Sequence, residues 1–155
     1  MNSSKIKSQN QISEIARKLK KSGKKIVFTN GCFDILHIGH IRLLEKAKSL
    51  GDILIVGLNS DASVKKIKGK HRPIIPENER AEVLAAVSSV DFIVKFSQPT
   101  PYQLIKKIKP DVLIKGADWK NGKIVGSNLA KKVVRIPLVK NKSTTAIIKK
   151  LKNLK

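Results

Sequence analysis

His37 and His40, separated by Ile38 and Gly39, are the residues of this chain best suited to chemistry. If a helix begins here, side chains three apart fall on one face of its first turn. A helix start also presents unpaired backbone N–H groups and the positive end of the helix dipole, which favour an anion. Gly39 removes a side chain that would hold a phosphate away from the backbone. Two imidazoles in that setting suit polyphosphate binding and the stabilisation of charge on its oxygens. Metal ligation is the competing chemistry. It needs a third and usually a fourth ligand, and only His71, the single Cys32 and scattered carboxylates remain, so no metal site is assigned. A packing or surface role is opposed by the position at a strand-to-helix turn, with Gly31 and Gly39 alongside.

The elements that must hold the pair follow from hydrophobic periodicity. KIVFT (25–29) reads as a short strand, Gly31 lies in the turn, and Leu43, Ala47 and Leu50 recur at i, i+4, i+7 in a helix over 38–50. Upstream, residues 1–8 are polar and expected to fray. Ile12, Ile15, Ala16 and Leu19 mark one face of a helix stopped by Ser22-Gly23. Residues 1–22 are therefore set apart as a tail and covering helix, with 23–155 as the main domain. Further strands are expected at 52–58, 91–96, 111–116 and 132–138; DILIVGL is nearly all apolar, as for a parallel strand buried on both faces.

Between them come a short helix from the Ser60-Asp61 cap to Lys66, a mobile loop from Ile67 to Pro76, and a helix opened by Pro76. The core face of that helix is read as Val83, Leu84 and Val87, with Arg80 on a different side. Leu104, Ile105 and Ile108 lie on the next helix, and a short helix is expected near 128–132. Ser143 caps a final helix with apolar Ile147, Ile148, Leu151 and Leu154. Strands alternating with helices imply one α/β domain, doubly wound, with a five-stranded parallel sheet. Ligands of such sheets bind beyond the carboxyl ends of the strands. No G-x-G-x-x-G or Walker lysine motif occurs, so phosphates fall to the helix N-termini at His40 and Ser143. Taken alone, Ser143 reads as an ordinary N-cap.

TNGCFDILHIGH (29–40) resembles the signature of the cytidylyltransferase-like nucleotidyltransferases, which share H-x-G-H with class I aminoacyl-tRNA synthetases. A chain of 155 residues cannot hold a synthetase core together with a tRNA-binding domain. Within the family, segments 27–40, 51–69, 72–87, 110–119 and 143–147 are similar, in order, to the adenylyltransferase domain of the bacterial ADP-heptose synthesis enzyme. The resemblance implies a Rossmann-like fold and transfer of AMP from ATP to a heptose 1-phosphate, releasing pyrophosphate, for lipopolysaccharide or other surface glycan. Mg²⁺ would enter with the triphosphate, held by phosphates and water rather than by a protein cage. A separate heptose kinase would act in the same pathway, and a homodimer is compatible with the family.

Residue by residue, the resemblance makes His37 and His40 catalytic and places Thr29, Asn30, Gly31, Cys32 and Phe33 under the nucleotide phosphates. Ser143, Thr144 and Thr145 match the segment that holds the β- and γ-phosphates. Lys115, Gly116, Asp118 and Trp119 match a segment near the nucleoside, although Trp119 also fits plain packing. Lys70 and Arg80 are phosphate-clamp candidates or solvated charges, and the forked arginine is the better prospect. Asp34 either orients substrate or caps the turn. Cys32 reads as a small packed residue. The glycerol-3-phosphate cytidylyltransferase branch typically carries an arginine ahead of S-T-T, where this chain has Leu138-Val139. It also has Tyr-Gly-Thr where this chain has Asn30-Gly31-Cys32, so both departures favour the heptose branch.

Composition bounds the remaining choices. One cysteine gives no disulfide framework and suits a reducing compartment. No apolar run approaches the ~20 residues of a membrane span, and Met-Asn-Ser-Ser-Lys lacks a signal-peptide core; a cytoplasmic location is expected. Thirty-three basic against eleven acidic side chains give a net charge of +22 and raise a nucleic-acid-binding module as the rival class. The lysines are spread along the chain and few aromatics are available to stack on bases, so general solvation is the preferred account.

Overall fold

The computed structural model describes residues 2–116, 124–137 and 139–154. In chain order its elements are β1 (Ile6–Lys7), α1 (Gln9–Lys21), β2 (Ile26–Gly31), α2 (Ile38–Lys48), β3 (Ile53–Asn59), α3 (Asp61–Lys68), α4 (Glu77–Ala85), β4 (Phe92–Phe96), α5 (Tyr102–Ile108), β5 (Val112–Gly116), β6 (Lys132–Ile136) and α6 (Thr144–Lys152). The strands form one sheet in the order β1-β4-β3-β2-β5-β6, with every pairing parallel. The doubly wound α/β expectation holds, but with six strands rather than five. The added strand is the segment expected to fray: Ile6 and Lys7 pair with Ile93 and Val94 of β4. Ser8 then caps α1 through a reciprocal capping box with Gln11.

Alternation along the strands divides the core into two layers. Val27, Leu54, Val56, Leu58, Ile93 and Ile114 face α2 and α4, packing on Leu44, Ala47, Ala81, Leu84 and Ala85. Ile26, Phe28, Ile55, Val94, Phe96 and Leu113 face α1 and α5, packing on Ile12, Ala16, Leu104, Ile105 and Ile108. Gly57 lets the strands approach, since a Cβ there would lie 2.8 Å from Phe28 Cζ. Among the described residues, no helix is long and apolar enough to cross a membrane.

Three local readings change. On α4, Val83 is 49% exposed, whereas Arg80 is 1% exposed and shares the buried face with Ala81, Leu84 and Ala85. The helix expected near 128–132 is a single 3₁₀ turn, Ser127–Leu129. No described residue of α6 is buried, and Leu151 and Leu154 are largely exposed.

The sheet opens where strand order reverses. β2 pairs with β3 over six residues but with β5 over two, Val27 with Val112 and Phe28 with Leu113. Beyond those pairs the C-terminal ends of β2 and β5 flank the topological switch, where open α/β sheets bind ligands. Lys115 Nζ crosses that opening to Asn30 Oδ1 at 2.7 Å.

Candidate active site

The turn after β2 is built from close contacts that particular residues permit. Gly31 precedes Phe33, and a Cβ on Gly31 would come within 3.0 Å of the Phe33 ring. Phe33 adopts φ +44°, a left-handed conformation that costs a bulky residue energy, and its ring is buried against His40 at a centroid distance of 5.2 Å. The turn therefore ends on an aromatic support for one imidazole. Thr29 is buried within β2, and Asn30, Gly31 and Cys32 are half-buried at its end.

His37 is the N-cap of α2, with an extended backbone and Nδ1 accepting from the Gly39 N–H at 3.1 Å. That bond fixes the tautomer: in the neutral ring the proton lies on Nε2, which is left as a donor. A side chain at Gly39 would meet His37 Cε1 at 2.9 Å and the Lys142 carbonyl at 3.4 Å. Glycine thus admits both the capping ring and the chain that leads into α6. His40 stacks on His37, with centroids 3.9 Å apart and planes at 26°. Its Nδ1 is buried without a hydrogen-bond partner. Burial first, and the neighbouring His37 second, push the His40 pKa down to about 4. Burial lowers that of His37 as well. At neutral pH both rings are uncharged, and each carries one N–H.

The start of α6 lies against this pair. Ser143 caps α6 by accepting from the Ala146 N–H at 3.1 Å, and Thr144 Oγ1 donates to the Ile35 carbonyl at 3.4 Å. With Lys142 packed on Gly39, the N-termini of α2 and α6 adjoin, and Thr145 is exposed beside them. Two sets of unpaired N–H groups and two positive dipole ends therefore serve one mouth. Gly116 closes β5 at the same edge of the sheet, while Asp118 and Trp119 lie outside the described residues.

Two candidate clamps have other partners. Arg80 donates Nε to the Ile75 carbonyl at 2.9 Å, Nη1 to the carbonyls of Asn59 (3.0 Å) and Cys32, and Nη2 to Asp61 Oδ1 at 2.7 Å. A fully buried guanidinium committed to four protein acceptors cannot grip a phosphate, so Arg80 ties the loops after β2 and β3 to the start of α4. Asp34, whose side chain is 0% exposed, is likewise not a substrate clamp. It accepts from Arg72 Nε at 2.6 Å and from the Ile74 and Ile75 amides at 2.9 Å. Burial alone would raise its pKa; the two amides and the Arg72 guanidinium outweigh burial and hold it below the usual carboxylate range. The segment read as a mobile loop is thereby pinned at 72–75. Lys70 is exposed on the adjoining turn.

Burial raises the Cys32 thiol pKa against the opposing pull of Lys68, Arg80 and Arg72, which disfavours the thiolate. Among the described residues, no three His, Cys, Asp or Glu side chains group to hold a metal. The mouth offers N–H and O–H donors, which suit phosphate oxygens rather than a bare cation. Sequence reasoning missed Arg72 and Asp61, whose partners lie 38 and 19 residues away and leave no local pattern. It also missed the support that Phe33 gives His40. The burial of Arg80 did leave a signal, because Arg80, Leu84 and Val87 stand at i, i+4, i+7.

Comparison with known proteins places the chain in a family. The Cytidylyltransferase-like family profile matches residues 28–153. "Bifunctional protein HldE" of a Nitratiruptor species is 55% identical over 148 residues, covering 96% of this chain and 32% of that protein. The protein of the same name from Campylobacter jejuni is 57% identical over 142 residues, 92% of this chain and 31% of its own length. The chain thus spans about a third of the length of the curated relatives it matches. Among solved structures, the lipopolysaccharide core biosynthesis protein from Thermoplasma volcanium superposes with a TM-score of 0.66 at 33% identity, covering 76% of this chain and 99% of that one. A pantoate-beta-alanine ligase from Francisella tularensis, solved with beta-gamma ATP and beta-alanine, gives a TM-score of 0.65 at 21% identity over 95% of this chain and 76% of its own, a likeness of fold.

Proposed function

The chain belongs to the Cytidylyltransferase-like family of nucleotidyltransferases, and from that premise we propose that it moves AMP from ATP to a heptose 1-phosphate, forming ADP-heptose and pyrophosphate for surface glycan. The observation that carries this reading is the stacked His37–His40 pair at the start of α2, adjoining the start of α6. A phosphate monoester has a second pKa of ~6, so near neutral pH its attacking oxygen is already ionised. It needs no protein base. As the sugar phosphate oxygen bonds to the α-phosphorus, the bond from that phosphorus to the α,β-bridging oxygen breaks and its electron pair leaves with pyrophosphate. The protein's work is to hold two anions in line and to donate hydrogen bonds where charge accumulates.

In this reading the His37 Nε2–H and the His40 ring donate to phosphoryl oxygens. Neutral imidazoles serve because a donor, not a proton, is required. The Thr29–Phe33 turn passes under the α-phosphate, the amides and hydroxyls of Ser143, Thr144 and Thr145 take the β- and γ-phosphates, and Gly116, Asp118 and Trp119 border the nucleoside. Lys70 remains the free cation of the clamp pair. Mg²⁺, carried in by the triphosphate, supplies further charge neutralisation. The names of the relatives support the pathway: two are bifunctional proteins of which this chain spans a third, and the similar solved structure is a lipopolysaccharide core protein.

The test is pyrophosphate release from heptose 1-phosphate, Mg²⁺ and each nucleoside triphosphate in turn. ATP is expected to support turnover. Release with CTP and glycerol 3-phosphate instead would move the chain to the cytidylyltransferase branch, and no release with any pairing would end the proposal.

A further inference from the structure

The N-terminal ends of β2, β5 and β6 surround a cavity of about 610 Å³. It lies at the opposite edge of the sheet from His37 and His40, about 20 Å away at ~3.3 Å per residue of β2. Its walls carry Lys20, Lys24, Lys25, Lys131 and Lys132 against one carboxylate, Asp111, so five positive charges less one negative leave a local excess of four. Asp111 is already committed: Oδ2 accepts from the Ile26 N–H at 2.8 Å and Oδ1 from Lys131 Nζ at 2.7 Å.

Lysines are ordinary at this edge, because helix C-termini point there and their carbonyls attract cations. Lys20 answers to that account, donating to the Lys109 carbonyl at the end of α5. Lys131 answers to Asp111. Lys24, Lys25 and Lys132 do not, since they come from a loop and a strand start and form no ion pair among the described residues. Burial lowers the pKa of Lys20, Asp111 opposes, and Lys131 and Lys109 lower it further, a crowding that an added anion would relieve.

The lining also selects the anion. It holds no aromatic ring and Val112 is its one large apolar side chain, so a nucleobase finds nothing to stack on. Lysine ammonium groups bind phosphate as point charges, and here five lysines line one concavity. We propose that this cavity binds a compact oligophosphate, either free or as the phosphate tail of a larger molecule, independently of the catalytic mouth.

The experiment is calorimetric titration of the full chain with inorganic tripolyphosphate at fixed ionic strength. It compares the wild type with Lys24→Gln/Lys25→Gln/Lys132→Gln and with a control, Lys46→Gln/Lys106→Gln/Lys150→Gln, that removes the same charge elsewhere. All six lysines are exposed, so the fold should survive, and a thermal melt checks it. Two binding events are expected in wild type and control. In the cavity variant the second should weaken by about tenfold or more, as three exposed ion pairs together would supply, with turnover unchanged. Repeating the titration with ATP separates a nucleotide's phosphate tail from free oligophosphate as the source. Equal weakening in both variants, a single event in wild type that persists in the cavity variant, or preferential binding of a short RNA with a salt slope beyond four phosphates would each overturn the proposal; a single event lost in the cavity variant would uphold it.

Discussion

The two edges of the sheet treat polar groups differently. At the N-terminal edge Asp52, Asp91 and Asp111 each directly precede a strand and accept a backbone N–H from a neighbouring one: Lys25 at 2.7 Å, Leu54 at 2.7 Å and Ile26 at 2.8 Å. Lys48 and Lys131 complete Asp91 and Asp111. At the C-terminal edge the acids are also spent, Asp34 on Arg72 and Asp61 on Arg80. There, however, His40 Nδ1 has no partner and the N-termini of two helices adjoin, whereas the unpartnered buried group described at the N-terminal edge is a single hydroxyl, Ser89 Oγ. Buried polar groups are ordinarily satisfied, so the ones left over stand out. Saturation, more than residue type, separates the groups that hold the loops in place from the imidazole at the mouth.

The sharpest test of that division removes an unsaturated group. His40→Ala is expected to cut turnover by about 10²–10³-fold, the loss typical of one transition-state donor. It should leave the urea midpoint level or higher, because it deletes a buried nitrogen without a partner. A variant that unfolds as readily as it loses activity would place His40 with the structural groups. Removing a saturated one should do the reverse. Arg80→Met strands the carbonyls of Cys32, Asn59 and Ile75 and leaves Asp61 without its cation. Denaturation is expected to show a loss of about 3–5 kcal/mol. Arg80→Lys should recover little, since one ammonium cannot span four acceptors.

Much of this architecture is legible in the sequence because it is local. Strands with continuous apolar runs, the Ser143 cap and the turn before His37 all declare themselves within a few residues. What is not legible depends on distant partners. Asp34 is visible beside the motif, but only the fold brings Arg72 and the Ile74 and Ile75 amides to it. Two residues of β1 carry too little pattern to announce a strand, and the capping box at Ser8 and Gln11 is the signal that this end of the chain is ordered. Arg80 is misplaced when its charge is weighed above its position on the Leu84 face.

Acid offers a graded version of the first test. The pKa of His40 is about 4 in the fold against about 6.5 in an unfolded chain. The unfolded state therefore binds more protons between those values, and stability falls as pH drops through that window. The loss from His40 between about pH 7 and pH 5 should be roughly 2 kcal/mol, read from urea midpoints; His40→Asn should remove that share and leave the share of His37, whose pKa burial also lowers. The acid limb of kcat/KM should instead follow the second ionisation of the sugar phosphate, near pH ~6, and shift when a nucleophile of different acidity is supplied.

The smallest effects belong to the N-terminal edge, where the question is whether charge or hydrogen bonding closes the strands. Burial would raise the Asp111 pKa, yet bonds from Lys131 and the Ile26 N–H, with the charges of Lys131 and Lys20, hold it low. Its stabilising contribution is thus present at neutral pH and lost only as pH falls below the ordinary carboxylate range. Asp111→Ala leaves the Ile26 N–H without its acceptor and should cost about 1–3 kcal/mol. Asp111→Asn keeps an oxygen for that N–H and gives up the ion pair with Lys131, whose side chain is largely exposed, about 1 kcal/mol or less. Turnover should be unchanged in both. If the asparagine costs as much as the alanine, charge rather than saturation governs this edge, and the contrast between the two ends of the sheet loses its physical basis.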